Sequence, residues 1–190
     1  MEEEKKYIEK VFPRIKDIKD DHLRKQVTSV WLKAWKMSDY RRIEDHSAWA
    51  PAGAKLQLSN MDHTNQVVEC AIAVAQVIEK TQKIKIDLDC LIAAAILHDV
   101  DKIILFHEST GKLTEFGRLL THTHLAHFLA LEENLPPEVV HAITAHSPTF
   151  SRESPKTPEA LIISRLDPLM MLNWTMSHKI EVDFTINKDE

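Results

Sequence analysis

Residues 87–99, DLDCLIAAAILHD, are apolar on nearly every side of a helix and end in a histidine and an aspartate. A helix with no polar face has to be surrounded by other elements, so this segment belongs at the centre of a bundle. Its last two side chains must then find partners inside the core, because an unpaired buried polar group is costly. The surrounding elements read as helices too, since the 190 residues include only three glycines and almost no strand-like alternation. The fold class expected is all-α.

An acidic first helix precedes a second one in which Leu23, Val27, Val30, Trp31, Ala34 and Trp35 recur every three to four residues, placing the tryptophans against the main body. Residues 49–60 contain Pro51 and Gly53, lose the periodicity and read as a connector. With 44% apolar residues, the chain has enough material for one domain spanning 1–190. Within it, residues 1–50 form a helical extension packed on a principal core of 60–175. The tail KIEVDFTIN (179–187) alternates and reads as one short strand, needing a partner from an N-terminal segment or another subunit.

Each core helix can be tested for where its titratable residue falls. His63 starts the stripe Val67, Ala71, Val74, Ile78, with Asp62 as the N-cap. His98 and Asp99 close the central helix. His122 leads Leu125, Ala126 and Leu129, whereas His124 and His127 share that face less well. His146 shares the face of Val139, Ala142 and Ile143, in a helix starting near Pro136, while His141 points elsewhere. Asp167 follows Ala160, Ile163 and Ser164, and Pro168 directly after it is expected to kink the helix there. Four imidazoles and two carboxylates converging in one core make little sense without a cation. The donor set suits one or two divalent transition metals (iron, manganese, cobalt or zinc, with iron or manganese favoured) over magnesium or calcium. His22, His46, His107, His124, His127, His141 and His178 read as surface or capping residues, with His107 and His127 kept as secondary pocket candidates. Cys70 and Cys90 lack CxxC spacing and read as reduced core residues.

The order His, His-Asp, His, His, Asp, carried by the strings ILHDVDK, NLPPEVVHAITAH and LIISRLDPL, resembles the HD-domain superfamily of metal-dependent phosphohydrolases over residues 60–175. The resemblance implies that His63, His98, Asp99 and Asp167 hold one metal, that His122 and His146 complete a second, and that Asp99 bridges the two. Lys102 matches the lysine that often follows the HD pair. Asp101 stands where many relatives have glycine, and Pro168 is a further departure. The implied reaction is hydrolysis of a phosphoester in a small molecule, with a nucleotide among the candidates, by a metal-activated water. Asp99 and Lys102 would be its catalytic residues. The same ligands are also compatible with a mixed-valent di-iron oxygenase or a noncatalytic nucleotide-sensing module.

A net charge of −5 argues against extended nucleic acid or an anionic membrane as partner; a small phosphorylated substrate would be held by local charges. Lys102 and Arg165 are near the ligands, and Arg152 and Lys156 lie on the Ser- and Pro-rich segment 147–158. That segment and residues 103–121 are expected at the mouth of the site. The acidic N-terminus and the lack of an 18-residue apolar run point to a cytoplasmic location.

Overall fold

The computed structural model describes residues 2–182. Their regular elements are helices: α1 (Glu2–Val11), α2 (Asp21–Met37), α3 (Asn60–Gln82), α4 (Leu88–Leu97), α5 (Lys102–Leu105), α6 (Glu115–Leu119), α7 (His124–Glu132), α8 (Pro137–Ala145), α9 (Pro148–Ser151) and α10 (Pro158–His178), with 3-10 turns before and after α2. Among the described residues the only extended pairings are two isolated bridges, Ser47 with Ser59 and Phe106 with Leu113. The tail expected as a strand falls largely outside the described residues. Its first part, residues 180–182, carries no strand, and Lys179 is the left-handed cap of α10.

The apolar segment is indeed the centre. α4 packs against α2, α3, α8 and α10, and every residue from Cys90 to Leu97 is buried. Burial of side chains such as Leu91, Ile92, Ile96 and Leu97 stabilises the bundle by roughly 1.5–3 kcal/mol each. The extension is continuous with this core: Trp31 of α2 is fully buried, stacks on Phe12 and belongs to the same apolar cluster as α4. Cys90 is buried and Cys70 half-buried, both free.

Two local readings need correction. α3 starts at Asn60, and its N-cap is Ser59, whose hydroxyl accepts from the Asp62 amide; Asp62 sits inside the first turn and its carboxylate accepts from Ser59 in return. His122 is not on a helix but in the turn before α7. α10 continues through Pro168 to His178; missing one main-chain donor inside a long helix does not suffice to stop it.

Candidate metal centre

The end of α4 shows how the fold aims a side chain. The last turn of a helix leaves carbonyls without intrahelical partners. Here Ala95 O accepts from His98 Nδ1 at 2.7 Å, Ile96 O from the Trp31 indole at 3.0 Å, and Leu97 O from the Val100 amide at 3.1 Å. Because a carbonyl only accepts, Nδ1 of His98 carries a proton, which leaves Nε2 as the atom turned toward the cluster. His146, just past α8, repeats the device, its Nδ1 donating to Ile143 O at 2.6 Å.

The six residues converge. His63 Nε2 stands 3.0 Å from Asp167 Oδ1 and 3.9 Å from Asp99 Oδ2, and His98 Nε2 stands 3.4 Å from Asp99 Oδ2. On the other side of the same carboxylate, His122 Nε2 lies 3.2 Å and His146 Nε2 3.7 Å from Asp99 Oδ1. The donor atoms of His63, His98, Asp99 and Asp167 lie within 4.8 Å of one another, as do those of Asp99, His122 and His146. Asp99 thus gives one oxygen to each group. Asp167, with 18% of its side chain exposed, is the most open of the six; the others are buried.

The electrostatics follow from this crowding. Burial opposes ionisation of Asp99, but Lys102 and His98 outweigh it and hold the carboxyl well below its ordinary range. Burial likewise opposes ionisation of Asp167, and the His63 contact prevails. Lys102 is buried, yet Asp99 at 2.6 Å keeps its ammonium protonated and raises its pKa. His122, disfavoured as a cation by burial, is pushed up to about 9 by Asp101 and Asp99. His146, whose Nε2 is 3.2 Å away, is held down to about 4 by burial and by the charges on His98 and His122.

These donors fit a cation. Ligand atoms about 2.0–2.2 Å from an ion stand roughly 3–4 Å from each other, the range observed. His98 Nε2 and Asp99 Oδ1 are also buried without any hydrogen-bond partner, a costly state unless something else meets them.

The remaining sequence candidates are outside this cluster. Arg152, Lys156 and Arg165 are exposed; Lys156 Nζ lies 3.7 Å from Glu153, and its amide donates to His141. Segment 147–158 does reach the site, through Phe150, whose ring meets His122 edge-on at 5.6 Å. His107 pairs with Asp39, and His127 with Thr144. His46, read as a surface or capping residue, is 1% exposed with neither ring nitrogen bonded; no apolar stripe precedes it in the sequence, so periodicity had nothing to act on. Asp101 is fully buried beside His122. Its position two residues past Asp99 was the available signal.

An HD domain family model matches residues 61–172. The chain is 26% identical over 168 residues, 84% of its length and 67% of the relative's, to the dihydroneopterin 2',3'-cyclic phosphate phosphodiesterase of Methanocaldococcus jannaschii. No solved structure matches it.

Proposed function

This chain belongs to the HD-domain family of metal-dependent phosphohydrolases, and from that premise we propose that it hydrolyses a phosphodiester in a small molecule at a centre of two divalent cations. One observation carries the reading: the two oxygens of Asp99 face separate histidine pairs, His63 with His98 and His122 with His146. In this proposal His63, His98, Asp99 and Asp167 hold the first cation, and Asp99, His122 and His146 the second. Iron and manganese suit so many imidazoles beside carboxylates. When bound, such a pair offsets the charge of a phosphoryl group and lowers the pKa of water.

The protein's own part is preorganisation. His98 and His146 are locked by backbone carbonyls, so both Nε2 atoms are aimed before anything binds. Lys102 holds Asp99 by its Oδ2 and, one turn from His98, supplies positive charge for a phosphate oxygen. Substrate is proposed to enter beside Asp167, the most open member, with Phe150 as a wall and Arg152 and Lys156 as outer guides for the anion. The relative's printed substrate makes 2',3'-cyclic phosphates of nucleoside-like compounds the first class to assay.

The test is phosphodiesterase turnover of bis(p-nitrophenyl) phosphate and of 2',3'-cyclic nucleotides by protein purified anaerobically and loaded with manganese or iron. Turnover is expected to vanish in His98→Ala, and KM to rise in the double variant Arg152→Gln/Lys156→Gln. Oxygen uptake by the iron-loaded protein with no phosphoester cleavage would overturn the proposal.

A further inference from the structure

Three of the four clustered imidazoles have a partner on the ring nitrogen turned away from the cluster, and the partners differ. For His98 and His146 it is a backbone carbonyl, which is neutral; Nδ1 of His63 has none. For His122 it is the carboxylate of Asp101, fully buried, with Oδ1 2.9 Å from Nδ1. The second oxygen of Asp101 accepts from the Thr123 amide at 2.7 Å. Thr123 has φ +83, a conformation that a β-branched residue adopts only under constraint, and its amide is held by this bond. Asp101 is itself held, its carbonyl accepting from the Ile104 and Leu105 amides at the start of α5.

We infer that Asp101 is a positioning residue that presents His122 to the second cation, a role no member of the six-residue ligand set performs. The inference rests on the two-cation reading above. The turn 98–101 then carries both the shared carboxylate, Asp99, and the carboxylate that orients a ligand of one side only. An aspartate is required because two donors, the His122 ring and the Thr123 amide, meet two acceptor oxygens. Asparagine offers one acceptor and turns a donor against the other N–H; glycine offers neither. A carboxylate behind a ligating imidazole fixes its tautomer and makes it a stronger donor, and losing such a partner costs about 10- to 100-fold in metal affinity. That loss should fall mainly on one cation, because His63, His98 and Asp167 make no hydrogen bond or ion pair with Asp101, and the shared Asp99 is held by Lys102.

The experiment is calorimetric titration of the metal-free protein with Mn2+, read out without any substrate, for wild type, Asp101→Asn, Asp101→Ala and His122→Ala. Wild type is expected to take two ions. Both Asp101 variants should keep the first affinity and weaken the second by about 10- to 100-fold, and His122→Ala should lose the second altogether. Equal weakening of both ions would mean a merely structural role and overturn the inference, as would two unchanged affinities in Asp101→Asn. A wild type that takes one ion sinks the two-cation reading, and the inference with it. Should the variants fail to fold, the His122 Nδ1 proton in wild-type NMR spectra decides: slow exchange with solvent is expected, and rapid exchange refutes the pairing.

Discussion

Replacing Asp99 by Asn removes one charge from the middle of the cluster while keeping the side-chain volume, so no cavity contributes. The charge removed is the nearest partner of Lys102, 2.6 Å away and buried with it. Breaking a buried ion pair from one side costs about 3–5 kcal/mol, because the remaining charge stays desolvated. The lower end applies here, since Asp167 and Asp101 still act on Lys102; the expected loss in metal-free protein is about 3 kcal/mol. For 190 residues the unfolding entropy near the midpoint is roughly 0.4 kcal/mol/K, so Tm should fall by about 8 °C. The assay is thermal unfolding followed by circular dichroism in chelator. Adding Lys102→Met to Asp99→Asn should restore most of the loss, because the orphaned ammonium is gone. A Tm within about 2 °C of wild type for Asp99→Asn, or no recovery in the double variant, would refute the assignment of the cost to Lys102.

Acid should destabilise the metal-free protein through His46, which burial and Lys102 hold down to about 4 from 6.5. The unfolded chain protonates this ring first, so its contribution is intact above pH 6.5 and is lost as pH falls toward 4, by about 3 kcal/mol. In chelator, denaturant unfolding of His46→Gln should show a flatter stability profile over that window than wild type, and parallel profiles would argue against it. Gly117 needs the space its missing side chain leaves: a Cβ there would stand 2.3 Å from Leu105 O and 2.8 Å from a Leu113 methyl. Gly117→Ala should therefore lower stability by about 1–3 kcal/mol, measured by urea unfolding, and an unchanged midpoint would contradict the close approach of α6 to α5.

Some of this was readable from residue order alone. An all-round apolar segment implies a central helix, a stripe implies the side that faces it, and His63, His146 and Asp167 could be sorted from neighbouring histidines because they share the periodicity of the buried positions. The HD pair announced itself by ending the one helix that has no polar face. Periodicity describes helices, however, and much of this centre is built where helices stop: His98 and Asp99 follow α4, His146 follows α8, and His122 precedes α7. At such ends a side chain is aimed by whichever orphan carbonyl or distant carboxylate it can reach, as His98 is by Ala95 and His122 by Asp101. Trp31, 65 residues before the carbonyl it caps, and His46, buried edge-on against Tyr40, belong to the same class. Residue order along the chain determined which helices form and which faces they bury. Tertiary packing alone decided how the donors are oriented, because hydrogen bonds between helix ends depend on distances in space that no local repeat encodes.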